Sequence, residues 1–315
     1  MKTSKLILAL CLVATILFSF AACGSKVDNP DTEVKETTPA EETKEEEKAF
    51  EPVSGTYEDF NITVVGAEAF KDHDDKDALR VYYDFTNNSD EPACAGSEVE
   101  FLISQDGYSS ESTYASAADD VDEYGNASLY ILPGVTIRCI EEVVFKADGG
   151  SVEVKVTNLW EDEDVLTVEL DSQNLPAPAD KFEITPITDP TWAKDFPIEG
   201  NLGEDGYVKV LENEFTENYD GDKLLRVFFE FTNTTEEPTN FFVESYLYAY
   251  QDGVQLEVGY AEEETAEDDA FDTDIEPDAT VKASRCFKLR SESPVEIEVY
   301  DFMDEIPVGA IISLG

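Results

Sequence analysis

Basic residues and histidine are scarce in this sequence. Its 315 residues include 21 lysines and arginines against 72 aspartates and glutamates, which gives a formal net charge of −51 at pH 7. Phosphate groups are bound mainly through lysine and arginine, so this composition predicts no nucleic-acid partner. It also opposes direct adsorption to anionic lipid headgroups. We expect the acidity to serve solubility and repulsion at a crowded cell surface.

The residues of the common catalytic motifs are missing as well. His73 is the one histidine, which excludes Ser-His-Asp and Cys-His mechanisms and an HExxH metal site in their usual forms. The sequence has no CxxC pair for zinc and no GxxxxGK or GxGxxG phosphate loop. We therefore predict no catalytic residues, no cofactor and no metal site, and we predict that the protein is not an enzyme.

Calcium binding stays open as an alternative, because carboxylate oxygens suit this hard cation. Acidic residues are dense in segments 72–77, 119–123 and 262–274. None of these segments has the glycine and glutamate spacing of an EF-hand loop. A solvated acidic loop is the competing interpretation of each one.

The N-terminal segment predicts export. Lys2 and Lys5 precede an almost wholly apolar stretch that ends in two alanines before Cys23. This order is typical of a secretory signal peptide over residues 1–22. The ending FAACG resembles the lipobox of bacterial lipoproteins, which implies that Cys23 is lipidated and anchors the mature protein to the membrane. An ordinary signal peptide or an uncleaved anchor is the alternative.

Residues 23–50 follow as a predicted tether. They are rich in glutamate, threonine, lysine and proline, and they lack apolar periodicity. Such a segment buries too little apolar surface to offset the entropy of ordering. We therefore predict a disordered, acidic and extended tether.

The rest of the chain contains an internal repeat. The run LRVYYDFTNNSDEP at 79–92 is matched by LRVFFEFTNTTEEP at 225–238, and QDG follows at 105–107 and again at 251–253. The run SVEVKVTNLW at 151–160 is matched later by PVEIEVYDFM at 294–303. Several blocks in one order indicate a duplicated domain. We predict repeat domains at 51–170 and 206–315, separated by a proline-rich linker at 171–205.

Each copy has the pattern of β-strands. Leu79, Val81, Tyr83 and Phe85 alternate with more polar residues, and the second copy alternates in the same way. A period of two is the pattern of a half-buried strand. About seven short strands in about 110 residues predict an all-β fold in which each copy is an antiparallel β-sandwich.

The lipobox, the acidic tether and the FTNNSDEP and QDG motifs together resemble domain-of-unknown-function lipoproteins of Gram-positive anaerobes. Those domains are similar to the immunoglobulin-like superfamily that includes an immunoprotective extracellular antigen. The resemblance implies two tandem immunoglobulin-like sandwiches and a membrane-anchored location on the extracytoplasmic side. It implies no catalytic residues.

The repeat alignment also predicts the state of the three remaining cysteines. Cys139 aligns with the small residue Ala283, so we predict that it is buried. Cys286 aligns with Glu142 on the opposite strand face, so we predict that it is more exposed. A Cys94–Cys139 disulfide and ordinary buried free thiols are both left open.

One strand face carries the predicted partner-binding site. Val99, Phe101 and Ile103 form the apolar, inward set of the first copy, and the same register in the second copy turns three tyrosines outward. The predicted site consists of these tyrosines with Phe228 beside them if the two strands pair: Phe228, Tyr246, Tyr248 and Tyr250. Outward tyrosines offer large contact area with a polar tip, which suits a protein or glycan partner.

Two other interpretations of the tyrosines stay open. A register slip of one residue would place all three in the core. Alternatively, Trp192 and Phe196 of the linker cover them in an interdomain contact. Our interpretation of the whole sequence is a lipid-anchored, extracytoplasmic and non-catalytic binding module for a protein or glycan. A structural surface spacer or antigen and a calcium-dependent envelope protein are the alternatives.

Overall fold

The computed structural model describes residues 50–115, 121–160, 163–178, 182, 184, 195–301 and 308–315. Over these residues the protein is built from antiparallel sheets that form two successive β-sandwiches. The prediction of an all-β fold with two tandem sandwiches is therefore confirmed. The predicted signal peptide and Cys23, together with the predicted tether up to residue 49, lie outside the described residues.

The first sandwich packs two sheets face to face. Its strands are β1 (Val53–Tyr57), β2 (Phe60–Lys71), β3 (Asp77–Asn87), β4 (Val99–Gln105), β5 (Tyr108–Ser109), β6 (Thr136–Val144), β7 (Val152–Asn158) and β8 (Asp164–Leu170). One sheet has the order β1-β2-β3-β6 and the other has the order β5-β4-β7-β8. A single helical turn, α1 (Ala95–Glu98), carries the chain from one sheet to the other.

The second sandwich repeats this arrangement. Its elements are β9 (Glu199–Leu202), β10 (Gly206–Glu217), β11 (Lys223–Asn233), α2 (Phe241–Glu244), β12 (Tyr246–Gln251), β13 (Val254–Gln255), β14 (Val258–Gly259), α3 (Ala266–Asp269), β15 (Thr280–Lys288), β16 (Val295–Tyr300) and β17 (Val308–Ile312). The sheets have the orders β14-β15-β11-β10-β9 and β13-β12-β16-β17. Strand β9 lies within the segment predicted as a linker and pairs with β10.

Alternation along β3 and β11 builds the two cores. Leu79, Val81, Tyr83 and Phe85 are all almost fully buried between the sheets of the first sandwich. Their counterparts in β11, which include Phe229, occupy the core of the second. Each buried side chain of this size contributes about 2 kcal/mol through removal from water. The inward faces of both strands are as the alternation predicts.

The repeated motifs TNxSxEP and TNxTxEP form the turns that follow β3 and β11. The Asn87 amide group donates to the carbonyl oxygens of Glu91 and Ile131, at 2.8 and 2.9 Å. Its side-chain oxygen accepts from the backbone N–H of Ser89. Asn233 makes the equivalent bonds in the second copy, and both asparagines are fully buried. The asparagine therefore satisfies backbone groups that the loop would otherwise leave unpaired.

Each sandwich also buries an arginine on the outer face of its β3 or β11 sheet. Arg80 donates to Glu142 at 2.6 Å and to Glu68 at 2.9 Å. Arg226, its counterpart, donates to Glu214 at 2.7 Å and to the Asp268 carboxylate at 3.0 Å. A buried guanidinium needs such partners, because an unpaired charge away from water is costly.

The three described cysteines are buried free thiols. Cys139 is fully buried, as predicted. Cys286 stands where the first copy has Glu142, on the predicted outer face, but only 4% of it is exposed, so its predicted exposure is wrong. The reason is that Ala261 of the β14–α3 segment packs on Cys286 and Leu224, while α3 supplies the carboxylate that Glu142 supplies in the first copy.

A backbone ladder joins the two sandwiches. Ile131 pairs in antiparallel fashion with Ala93 of its own sandwich and with Val254 of β13. The N–H of Leu132 donates to the Gly253 carbonyl, and the N–H of Gln255 donates to the Tyr130 carbonyl, both at 2.8 Å. Segment 130–132 thus extends the β12 sheet by strand addition.

Candidate functional site

The outward face of β12 carries the predicted tyrosines. Ala249 is fully buried in the core of the second sandwich, and Leu247 packs against that core. Tyr246, Tyr248 and Tyr250 alternate with them and point to the opposite face of the sheet. The predicted register is confirmed, and a slip of one residue is excluded.

The three tyrosines differ in exposure because the first sandwich lies over part of this face. Tyr246 is 47% exposed, Tyr248 is half-buried, and Tyr250 is 1% exposed. Tyr250 and Val254 belong to the core cluster of the first sandwich, and Tyr248 packs against that cluster. The face is therefore partly an interdomain contact. The first sandwich contributes to this cover, whereas Trp192, one of the predicted covering residues, lies outside the described residues.

Phe228 does not join the tyrosines. Its strand, β11, pairs with β10 and β15, whereas β12 pairs with β13 and β16. The two strands lie in different sheets because α2 carries the chain across the sandwich between them. Phe228 is buried on the outer face of the β11 sheet, where the Lys282 ammonium lies 4.0 Å from its ring centroid. The prediction that Phe228 stands beside the tyrosines is wrong.

An open cavity of about 700 Å³ lies on the tyrosine face. We call it the tyrosine cleft. Its lining combines six aromatic rings, three carboxylates and one proline: Tyr130, Phe196, Tyr246, Tyr248, Tyr250, Tyr300, Asp90, Glu91, Asp301 and Pro92. The first sandwich contributes the loop after β3 and Tyr130, and the second contributes β12 and the end of β16. The cleft therefore depends on the arrangement of both sandwiches.

Tyr248 is the centre of the aromatic wall. Its ring centroid lies 5.9 Å from that of Tyr300 in an edge-on arrangement and 6.0 Å from that of Tyr130. The rings of Tyr246 and Tyr250 flank it at 6.3 and 6.2 Å. These separations are typical of favourable aromatic pairs. Burial raises the pKa of Tyr248, so its phenol is uncharged at neutral pH.

A buried carboxyl lies next to this wall, on the same sheet face. Glu298 is the direct cross-strand partner of Tyr248 and is fully buried. The Tyr300 hydroxyl donates to one carboxylate oxygen at 2.7 Å, whereas the other oxygen has no hydrogen-bond partner. Burial, with a smaller contribution from Glu296, raises the pKa of Glu298 to about 7. The carboxyl therefore changes charge close to neutral pH.

Several residues that line the cleft or lie next to it were not predicted from the sequence. Tyr300 and Glu298 alternate with Val299 on β16, so the same strand pattern places them on the tyrosine face. That signal was available once β12 and β16 were known to pair. Tyr130 and Glu91 lie in loops, where no periodicity marks a face.

The single histidine lies in a turn that a carboxylate of the first acidic segment stabilises. His73 lies in the β2–β3 hairpin loop, as Tyr219 does in the second copy, and its ring stacks on Tyr114 at 3.9 Å. Asp72 accepts from the backbone N–H groups of Asp74 and Lys76 and so holds this turn. Across the described ranges, no group of three or more histidine, cysteine or acidic side chains is arranged to hold a metal ion. Residues 119 and 120 of the second acidic segment lie outside those ranges.

Residues 35–158 and 184–301 match the family model described as "Domain of unknown function (DUF5067)". The chain belongs to the DUF5067 family. The first DUF5067 match includes strands β1 to β7, and the second includes β9 to β16. This DUF5067 chain thus carries one family domain for each sandwich, and the tyrosine cleft has lining residues from both.

Solved structures are also similar to part of this DUF5067 chain. None of the curated proteins matches this DUF5067 chain. A candidate lipoprotein from Staphylococcus aureus subsp. aureus NCTC 8325 is 14% identical with a TM-score of 0.30, and the match covers 35% of this chain and 85% of that one. A protein from Enterococcus faecalis, determined by NMR, is 18% identical with a TM-score of 0.31, covering 40% and 98%. No helix within the described part of the DUF5067 chain is long and apolar enough to span a membrane.

Proposed function

We propose that this protein is a lipid-anchored, extracytoplasmic and non-catalytic binding module that holds a protein or glycan partner in the tyrosine cleft. The observation that carries the proposal is the open cavity of about 700 Å³ with six aromatic rings in its lining. Ligand pockets typically have volumes of about 300 to 1,000 Å³ and combine aromatic walls with a few polar groups. The cleft has both properties.

The difference between the two copies supports a binding role for this face. The first copy has Glu100, Leu102 and Ser104 at the positions of the three tyrosines. A second sandwich with the same fold therefore does not need tyrosines on β12 for its own core. Tyr246 remains 47% exposed although the first sandwich lies nearby. Exposed aromatic surface of this kind is typical of interaction sites.

The proposed location rests on the N-terminal sequence. A short basic region, an apolar stretch and small residues precede Cys23 in the order typical of an exported lipoprotein. Replacing Cys23 with serine is expected to release the protein from the membrane fraction, with unchanged unfolding of the rest of the chain. A mature N-terminus other than Cys23, determined by mass spectrometry, would contradict the lipid anchor.

The strand order supports an immunoglobulin-like relationship for the sandwiches. Immunoglobulin domains place strands A, B, E and D in one sheet and C, F and G in the other. In chain order, strands β10, β11, β12, β14, β15, β16 and β17 occupy the places of A to G. The sheet β14-β15-β11-β10 then contains D, E, B and A, and β12-β16-β17 contains C, F and G.

Tyrosine labelling tests the binding role. The full-length chain is displayed on Gram-positive cells, labelled with a membrane-impermeant tyrosine reagent, and compared with the purified chain in detergent. Tyr246 and Tyr248 are expected to lose labelling on cells, because a bound partner covers the cleft. The highly exposed Tyr108, Tyr219 and Tyr260 serve as internal controls.

The same measurement addresses the alternative of a structural spacer. The backbone ladder between Ile131 and Val254 favours that alternative, because it links the sandwiches through main-chain hydrogen bonds. A spacer needs no bound partner, so Tyr246 and Tyr248 would then be labelled on cells in the same proportion to the control tyrosines as in detergent. That result would refute the binding role.

A further inference from the structure

We propose that the tyrosine cleft binds an organic ammonium group, which the aromatic rings and the surrounding carboxylates recognise together. This inference rests on the proposed binding function and adds the chemical class of the ligand.

The charges of the cleft favour a cation. Its charged lining residues are Asp90, Glu91 and Asp301, and no lysine, arginine or histidine is among the residues that line it. The buried Glu298 lies on the same sheet face, directly opposite Tyr248. A concave site lined by charges of one sign concentrates ions of the opposite sign. The net charge of −51 adds to this potential and disfavours an anionic ligand.

The aromatic wall suits an ammonium group as well. The face of a tyrosine ring attracts a cation that lies within about 6 Å of the ring centroid, and quaternary ammonium ligands are typically held by several such rings. Tyr248 has four tyrosine neighbours with ring centroids 5.9 to 6.3 Å from its own. Five tyrosine rings therefore line one cavity of about 700 Å³.

The hydrogen bond between Tyr300 and Glu298 orients one phenol so that its oxygen favours an ammonium group. Tyr300 donates its hydroxyl proton to Glu298 at 2.7 Å, so its oxygen can offer only lone pairs to a ligand. A lone pair accepts from an N–H group and attracts a cationic methyl group. The other Glu298 oxygen has no hydrogen-bond partner, so when the carboxyl is ionised its negative potential is not offset by a donor.

The test compares ligands that have one shape and different charges. Choline and its uncharged isostere 3,3-dimethylbutan-1-ol are titrated into the full-length chain, and binding is followed by saturation-transfer NMR of the ligand methyl groups. A polyoxyethylene detergent is used because it carries neither a sugar nor an ammonium group. Nα-acetyl-lysine amide and methyl glucoside complete the series. The lysine derivative distinguishes an ammonium group on a polypeptide from a small free amine.

Choline is expected to bind at least about tenfold more tightly than the isostere, and its affinity is expected to fall as salt concentration rises. Tyr248→Phe keeps the aromatic face and is expected to keep the affinity. Tyr248→Leu removes the face and is expected to weaken binding about tenfold. Leu102→Ser changes the matched outward position of the first copy and is expected to have no effect.

A second variant separates charge from ring contacts. Asp90→Asn with Glu91→Gln removes two exposed carboxylates from the cleft and is expected to weaken choline binding and reduce its salt dependence. Thermal unfolding of each variant shows whether the fold is retained.

The outcomes also separate this inference from the proposed function. Equal binding of choline and its isostere, or equal binding by the Tyr248→Leu and Tyr248→Phe variants, would overturn recognition of an ammonium group. Binding of methyl glucoside without binding of choline would do the same, and would leave a binding function in place. If neither choline nor the lysine derivative binds, the inference fails, whereas the binding function is judged separately by tyrosine labelling on cells.

Discussion

Glu298 is expected to make the protein less stable at mildly alkaline pH than at mildly acidic pH. Its carboxyl is fully buried, and burial raises its pKa from the ordinary value of 4.5 to about 7. A carboxyl whose pKa is higher in the folded state binds more protons there than in the unfolded chain. The free energy of unfolding therefore falls as pH rises from about 4.5 to about 7, and this contribution levels off above that range.

The two pKa values set the size of the effect. A pKa difference between 4.5 and about 7 corresponds to about 3 kcal/mol, at about 1.4 kcal/mol per pKa unit. Glu298→Gln removes the ionisation and keeps an oxygen that can accept from Tyr300. The variant is expected to lose this contribution of about 3 kcal/mol to the pH dependence, whatever its stability at pH 5. If the amide N–H₂ group of the glutamine finds no acceptor, the free energy of unfolding of the variant at pH 5 falls by about 1 to 3 kcal/mol.

Urea unfolding followed by circular dichroism, at several values between about pH 5 and about pH 8, measures the difference. The stability of the variant relative to the native chain should rise by about 3 kcal/mol across this range. Glu153→Gln is the control, because Glu153 is exposed on the corresponding strand β7. Tyr300→Phe removes a hydrogen bond that lowers the pKa of Glu298, so it should move the transition to higher pH. If the free energy of unfolding changes with pH in the same way in the native chain and in Glu298→Gln, the reasoning is refuted.

Three further predictions concern packing, charge and thiols. Tyr250→Ser should cost about 3 to 4 kcal/mol of unfolding free energy, because it empties a position in the core of the first sandwich. Tyr246→Ser changes a half-exposed ring and should cost less than about 1 kcal/mol. Equal losses in urea unfolding would contradict the different burial of the two rings. Cys286 is the counterpart of Glu142 in the second copy, where Asp268 pairs with the buried arginine instead. Glu142→Cys removes a partner of Arg80 without supplying an equivalent of Asp268, so it should cost about 3 kcal/mol of unfolding free energy. Glu153→Gln should be neutral in the same assay. Cys94, Cys139 and Cys286 should react with a thiol reagent only as fast as the protein opens, because all three are buried; rapid labelling of Cys286 in the native chain would show that the β14–α3 segment does not cover it.

Much of the fold was predictable because the repeat supplies the same evidence twice. The alternation at Leu79, Val81 and Tyr83 recurs in the second copy, and both sets are buried as predicted. The outward direction of Tyr246, Tyr248 and Tyr250 follows from the same register. Side chains on a strand alternate between two faces, so one correct register places every residue of the strand.

The position of Phe228 and the exposure of Cys286 were not predictable in the same way. Consecutive strands often pair, but α2 carries the chain from β11 into the other sheet, so Phe228 lies away from the tyrosines. Strand register places Cys286 on the outer face correctly. It does not show that the β14–α3 segment, which precedes β15, folds over that face and supplies Asp268 as the partner of the arginine in place of Glu142.

The sequence by itself determined the tandem repeat, the β-sandwich class and the side of β12 on which the tyrosines lie, because these depend on local alternation and on comparison of the two copies. Only the tertiary structure decided how much of the tyrosine face stays open. That depends on loop residues such as Tyr130 and Ile131, which pair with β13 and bring the first sandwich against Tyr250. Contacts between residues so distant in sequence depend on how the whole chain packs, and no periodic pattern in either segment records them.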